Sequence, residues 1–342
     1  MKFKYLVLLI CTILLIPDSR AFSQVVSSQN EELSQIFEIG TVQSLIIEKG
    51  DSILYEEYRG RMNRDRPTNT KSASKSVLSL LIGIAIEEGF IESVDEPIGQ
   101  FFPDYFDANP DSAKEAITIK DLLTMRSGLE TTSFHNYGRW VLNRNWTRFA
   151  LSQPMEGEPG GRMIYSTGTS HLLSVILTRT SGMSTRAFAN QYLFRPMNIR
   201  VGGWDRDPQG YYMGGNNLAL SPLALLKIGR LMLDLGEYNG EQLVTAAWIL
   251  DSVKIYTRSN FNNYNFGYMW WRKTVNDTEV VFAWGNGGQY ILILPEQDAV
   301  VSITSNVESG ESSRRYQRQV FRFLGEVIVP FVEESHFNSD SD

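Results

Sequence analysis

The chain predicts an α/β (α+β) fold: an antiparallel sheet flanked by helices, plus a mainly helical lobe. Three observations carry that expectation. Runs of strand length and apolar character occur over 43–58 and again after residue 266. An amphipathic helical pattern closes the chain over 312–332. Between them lie helical patterns broken by many turn signals. The two ends then form one α/β lobe, about 36–72 and 266–332, and the middle forms the helical lobe, about 73–265. A seam between lobes is a common place for a ligand pocket.

The elements follow in order. Residues 1–23 read as a signal peptide: a basic start with Lys2 and Lys4, then an apolar run over 5–16 interrupted only by Thr12. That run is too short for a stable membrane anchor. Small residues place cleavage after Ala21 or after Ser23, and the second is preferred, leaving 24–332 as the folded part. Ile10 before Cys11 argues against a lipoprotein signal. Strands are expected at 43–48 and 53–58, joined by a turn at Lys49-Gly50-Asp51-Ser52. A helix over 74–88 ends at Gly89, and a shorter one over 118–125 starts at a Thr118 cap and ends near Gly128. Helices at 171–180, 222–235 and 245–253 precede strands at 266–272, 279–284, 289–294 and 299–304. The acidic stretch 333–342 is expected to fray.

Composition narrows the chemistry. The net charge is −7, and the leader carries Lys2, Lys4 and Arg20 against Asp18, so the exported part is more acidic still. No basic patch stands out, which points away from nucleic acid. His135, His171 and His336 are too scattered for a metal site. The only cysteine is Cys11, inside the leader, so the exported part has no disulfide and no thiol nucleophile. A bacterial periplasmic or secreted location is expected.

The most informative segment is Ser72-Ala73-Ser74-Lys75, which opens the apolar helical run 76–86. Residues three apart share a helical face, so a serine hydroxyl at the helix start lies beside a lysine amine. A desolvated lysine is a base able to activate that hydroxyl, and the helix N-terminus favours the developing anion. It is the only Ser-x-x-Lys in the chain. Tyr165 follows a loop forced by Pro159, Gly160 and Gly161. Beside an ammonium group a phenol loses its proton more readily and shuttles it; alone, the residue reads more readily as a buried tyrosine at a helix entrance. Trp284-Gly285-Asn286-Gly287-Gly288-Gln289 leads into a strand. Its glycines permit close backbone approach to a ligand, or simply make a turn between strands.

In this order the pieces resemble the serine β-lactamase-like and penicillin-binding-protein-like serine hydrolases. The branch is that of class C β-lactamases, D-Ala-D-Ala peptidases and related esterases. Similarity to 6-aminohexanoate-dimer hydrolases comes with Ser72-Ala73-Ser74-Lys75-Ser76, and the resemblance spans about 36–332. Ile119 to Leu129, Glu158-Pro159-Gly160 and Leu193-Phe194-Arg195-Pro196-Met197 resemble further family segments. The resemblance implies a β-lactamase/transpeptidase-like fold with Ser72 as nucleophile, Lys75 as base and Tyr165 as proton relay. It also implies main-chain amides of Ser72 and Gln289 as oxyanion hole, Asn286, Gly287, Gly288 and Thr167 as substrate-binding residues, and no metal or cofactor. The expected activity is hydrolysis of a small ester, amide or peptide through an acyl-enzyme. A D-Ala-D-Ala peptidase or weak β-lactamase is the alternative, and a non-catalytic binding protein the alternative of another class.

Two departures bear on substrate. Thr167 stands where the family often has asparagine, and Asn286 where it often has lysine or histidine. With a neutral amide at 286, carboxylate-bearing β-lactams are expected to bind poorly. The aromatic stretch Tyr264, Phe266, Tyr268, Trp270 and Trp271 reads as a half-buried strand or a pocket wall, and Tyr137, Trp140 and Trp146 as pocket wall or core. His135 and His171 could serve a serine triad, but no Gly-x-Ser-x-Gly elbow accompanies them, and His171 reads better as structural. Protein recovered from the periplasm is expected to begin near Phe22 or Gln24; N-terminal sequencing checks this, and an intact Met1 terminus on the exported protein would refute it.

Overall fold

The computed structural model describes residues 28–306 and 314–335. The expected signal peptide and residues 336–342 of the expected tail lie outside the described residues. Eight strands form one antiparallel sheet: β1 (Val42–Lys49), β2 (Ser52–Tyr58), β3 (Thr257–Arg258), β4 (Asn265–Phe266), β5 (Trp271–Val275), β6 (Thr278–Gly285), β7 (Gln289–Leu294) and β8 (Ala299–Ser305). Their spatial order is β2-β1-β8-β7-β6-β5-β4-β3. The early and late parts of the chain meet where Ile46 pairs with Ser302 and Ile47 with Val301.

Every residue of β7 and β8 is buried, because helices cover both faces of the sheet. The principal helices are α1 (Ser74–Glu87), α2 (Ile119–Leu123), α3 (Thr167–Ser181), α4 (Pro222–Leu233), α5 (Ala246–Ser252) and α6 (Arg314–Phe323). Helix α4 lies on the face carrying Ile291 and Val300, and the Ser302 hydroxyl donates to the Pro222 carbonyl at 2.9 Å. Helix α6 covers the opposite face, with Phe321 edge-on to Phe282 at 5.1 Å and to Tyr290 at 5.9 Å. Arg230, at the end of α4, bonds Glu48 and Asp298, each at 2.7 Å.

Helix α1 is buried from Ser74 to Ala85. Its all-round apolar surface is explained by neighbours on several sides, α3 and β6 among them. Helix α2 opens with a capping box in which Thr118 and Asp121 satisfy each other's main-chain N–H. Helix α3 opens on a Ser166 cap, earlier than the periodicity of 171–180 alone predicts.

Three expectations change. The strand expected over 266–272 breaks after Phe266 and resumes at Trp271. Between them Met269 adopts φ 62, and the Met269 carbonyl accepts the Ser76 hydroxyl at 2.6 Å, so this segment leaves the sheet to brace α1. Phe266, Tyr268, Trp270 and Trp271 are all buried core residues. The closing helix is interrupted by a wide turn over Leu324–Ile328 and resumes over Val329–Glu334, so Glu333 and Glu334 end a helix rather than start the frayed tail. A basic patch also exists: Arg315, Arg318 and Arg322 of α6 gather with Lys273 of β5 along one groove. Helical spacing plus a distant strand hid it from a linear reading.

Among the described residues no helix is long and apolar enough to cross a membrane. At Gly83 the α1 backbone meets Trp248 of α5 so closely that a Cβ would lie 2.5 Å from three ring atoms. Gly83→Ala is therefore expected to lower the denaturation midpoint by about 1–3 kcal/mol of stability. An unchanged midpoint would show that the ring yields freely.

Candidate active site

Ser72 sits in a short helical turn, Lys71–Ala73, that leads into α1. The turn is held in an uncommon shape. Lys71 adopts φ 50, its N–H donates to Asn69 Oδ1 at 2.9 Å, and its carbonyl accepts the Ser74 hydroxyl at 2.7 Å. One turn on, Lys75 is 2% exposed. Its Nζ contacts the Gly215 carbonyl at 2.6 Å, Thr167 Oγ1 at 3.2 Å and Ser72 Oγ at 3.3 Å. Burial lowers its pKa to about 7, because desolvation penalises the charged form. As an ammonium the group donates to all three oxygens. Once it loses a proton, the Gly215 carbonyl and Thr167 hydroxyl keep the two remaining N–H bonds, and the lone pair falls to the Ser72 hydroxyl.

Tyr165 immediately precedes the cap of α3, and its carbonyl accepts the Thr131 hydroxyl at 2.6 Å. The ring stacks on Trp271 at 6.1 Å and meets Phe261 edge-on at 5.8 Å. Its phenol hydrogen-bonds Ser72, yet burial outweighs that bond and raises the pKa to about 12. The Lys75 amine lies 5.1 Å from the ring centroid. The expectation that this amine eases deprotonation of Tyr165 is therefore reversed: the phenol keeps its proton at neutral pH.

Thr167, expected to bind substrate, lines the cleft and also supports the lysine. Its hydroxyl lies 2.9 Å from Ser133 Oγ, which in turn accepts the Thr167 N–H at 2.8 Å. Ser133 escaped the sequence reading, having no local pattern to mark it. The Gly215 carbonyl is positioned by its neighbour: the Gly214 N–H donates to His171 Nδ1 at 3.2 Å. That bond leaves the proton on Nε2, which donates to Asp207 Oδ2 at 3.1 Å. His171 and Asp207 are fully buried pairs, with Trp140 and Trp146 packed around the imidazole.

The hairpin between β6 and β7 forms the facing wall. A Cβ at Gly285 would collide with the Thr70 carbonyl oxygen, so β6 approaches the Ser72 turn with nothing between them. Trp284 and Asn286 line the cleft; Gly287, Gly288 and Gln289 are not among the lining residues. Gly287 and Gly288, with φ 85 and 93, return the chain into β7. Gln289 is fully buried, pairs with Gly285 in the ladder and turns its side chain onto Ser305, donating to that carbonyl at 2.9 Å. Gly287 and Gly288 thus form the turn itself, and the Gln289 side chain is spent on Ser305; the oxyanion role expected of residue 289 concerns its main-chain N–H, which that side-chain bond does not engage.

The cleft has a volume of about 350 Å³. Its walls add Lys71, Phe134, Tyr137, Asn216 and Phe261 to Ser72, Ser133, Tyr165, Thr167, Trp284 and Asn286. Of the earlier aromatic candidates, Tyr137 faces the cleft, accepting the Asn216 amide at 2.8 Å, while Trp140 and Trp146 are core. Lys71 places a cation at the cleft, which the neutral Asn286 alone did not predict. Among the described residues no cluster of three histidine, cysteine or acidic side chains is placed to hold a metal.

An α+β fold with a serine beside a buried lysine defines a serine-type hydrolase. Residues 38–323 match the Beta-lactamase family model, and the chain belongs to that family. It is 21% identical over 295 residues to the 6-aminohexanoate-dimer hydrolase of Paenarthrobacter ureafaciens, covering 79% of this chain and 74% of that one. Among solved structures it resembles the octameric penicillin-binding protein homologue from Pyrococcus abyssi, with TM-score 0.66 and 19% identity over 91% of this chain and 77% of that one. It also resembles EstCE1, a hydrolase with promiscuous acyltransferase activity, with TM-score 0.70 and 15% identity over 89% of this chain and 99% of that one. The fold is thus β-lactamase/transpeptidase-like, and the protein is a hydrolase of small molecules.

Gly285→Ala should push β6 away from the Ser72 turn. Turnover is expected to fall at least tenfold in a protein that still folds, measured as kcat/KM beside a melting curve. Wild-type turnover would show that the approach of β6 to Thr70 does not matter to the site.

Proposed function

We propose that this enzyme hydrolyses esters or linear amides of small substrates through an acyl-enzyme on Ser72. The observation that carries the reading is the desolvated Lys75 amine, 3.3 Å from Ser72 Oγ, with its other two contacts already taken. Neutral Lys75 accepts the Ser72 proton as Oγ bonds to the substrate carbonyl carbon. The Ser72 amide, in a short helical turn, would face the developing oxyanion, and the wall opposite, which includes Asn286, would supply the second N–H donor. Tyr165 then hands its phenolic proton to the departing alkoxide or amine and is reprotonated from the Lys75 ammonium. Water enters by the reverse proton path, and its attack releases the acid and frees Ser72.

The relatives support an amide or ester bond as the target, one being a 6-aminohexanoate-dimer hydrolase and another a hydrolase with acyltransferase activity. Five aromatic side chains in the cleft, those of Phe134, Tyr137, Tyr165, Phe261 and Trp284, fit a substrate with an apolar chain. The basic, apolar leader supports action outside the cytoplasm.

The experiment is fluorophosphonate labelling followed by intact mass, with acylation rates taken from pH 5 to 9. Wild-type protein should gain one adduct and Ser72→Ala none. Because Lys75 acts as a base with a pKa of about 7, the rate should climb roughly tenfold per pH unit below 7 and level off above it. Lys75→Ala should lose orders of magnitude in rate together with that rise. Turnover by Ser72→Ala, or a wild-type rate flat across the range, would sink the reading.

A further inference from the structure

We propose that Lys71 is the substrate-anchoring cation of the cleft, and that the preferred substrates are esters or amides bearing a carboxylate near the reacting carbonyl. This rests on the catalytic reading of Ser72 and deepens it.

Lys71 lines the cleft one residue before Ser72 and is half-buried. Among the described residues its ammonium has no ion pair, although the surface of this acidic protein offers many carboxylates and several other lysines and arginines are paired. Among the described residues no aspartate or glutamate lines the cleft. Among the described residues, then, no carboxylate pairs with Lys71, and aromatic side chains share its cleft. A carboxylate entering such a place gains a charge-assisted hydrogen bond in a setting of reduced screening.

The backbone supports the same assignment. A φ of 50 at a lysine is uncommon and costs roughly 1 kcal/mol or more. Asn69 and Ser74 hold the turn in that shape from both sides. The Lys71 Cβ lies 3.1 Å from where a Cβ of Gly285 would be, so the bare glycine leaves room for the lysine stem beside Asn286. The other cleft amine cannot take this role: Lys75 is buried and committed to Gly215, Thr167 and Ser72. Lys71 therefore supplies from the nucleophile's own turn the charge that Asn286 lacks on the facing hairpin. The proposal thus runs against the expectation, drawn from Asn286 alone, that carboxylate-bearing β-lactams bind poorly.

The test compares two chromogenic esters of similar chain length, 4-nitrophenyl butyrate and the mono-4-nitrophenyl ester of glutaric acid. The readout is the ratio of their kcat/KM values within each protein. Wild type should favour the anionic ester at least tenfold. Lys71→Gln should collapse that ratio about tenfold, mainly through KM, and Lys71→Arg should retain most of it. All three residues bear the same backbone cost at φ 50, so the comparison isolates the charge. A wild-type ratio near one, or a ratio unmoved in Lys71→Gln, overturns the proposal. Calorimetry of glutarate binding separates this from the catalytic reading. Ser72→Ala protein should bind glutarate, and Ser72→Ala/Lys71→Gln at least tenfold more weakly, whether or not any ester is turned over. Equal binding by the two overturns the Lys71 assignment and leaves Ser72 untouched; turnover by Ser72→Ala overturns the catalytic reading and leaves the anchor to stand on binding.

Discussion

The arrangement depends on one buried amine. Lys75 is out of reach of water, and an ammonium in that position must find oxygen partners or give up its proton. It does both. Helix α1 brings the amine, α3 brings Thr167, and the loop after Asp207 brings the Gly215 carbonyl. The buried His171–Asp207 pair fixes that loop from behind. The cost to stability has a definite sign. The unfolded lysine titrates near 10.5 and the folded one near 7. Below pH 7 both states are protonated and the burial penalty is full and constant. Between 7 and 10.5 the unfolded state holds a proton that the folded state lacks, so stability rises with pH across that window. At neutral pH the protein thus carries a penalty that a methionine there would avoid, which fits the proposed role of Lys75 as a base.

The same desolvation acts oppositely on the two titratable groups beside Ser72. Burial removes whichever form is charged. For lysine that is the protonated form, so Lys75 moves down to about 7. For tyrosine it is the deprotonated form, so Tyr165 moves up to about 12. Two groups beside one serine are driven apart by a single physical cause, which is the division of labour that the proposed mechanism requires.

Legibility followed the range of the interactions. The Ser72–Lys75 adjacency depends only on helical spacing, and it was readable. Strands β7 and β8 were readable because two covered faces make apolar runs that nothing interrupts. Tyr165 was readable as a candidate, its protonation was not: the sequence showed a nearby ammonium but not the Trp271 and Phe261 rings that bury the phenol. Ser133, Phe134 and Phe261 reach the cleft from segments far away in sequence, and no local pattern distinguishes them from loop residues. The break after Phe266 was hidden for a related reason. Alternating aromatics look like a strand, and only the contacts of Met269 and Tyr268 with α1, α2 and the end of α5 pull the backbone away. Gln289 was readable as the residue that begins β7, but the turn of its side chain onto Ser305, sixteen residues on, was not.

What the cleft recognises is a matter of field rather than of chain position. The chain as a whole carries a net charge of −7, yet among the described residues no acid lines the cleft and one lysine does. A carboxylate is repelled by the molecule at long range and attracted at the last few ångströms. At an ionic strength near 0.1 M the screening length is about 10 Å, so the distant acids are largely muted while a contact with Lys71 is not. Discrimination then comes from the contact and not from steering. Added salt should accordingly weaken the preference for an anionic substrate only modestly, through the exposed part of the Lys71 contact, and should leave the approach rate of a neutral one unchanged. On the proposed anchoring, a cation beside Ser72 and a neutral amide across from it select by charge as well as the opposite arrangement does, provided that the substrate's carboxylate lies on the side of the Ser72 turn.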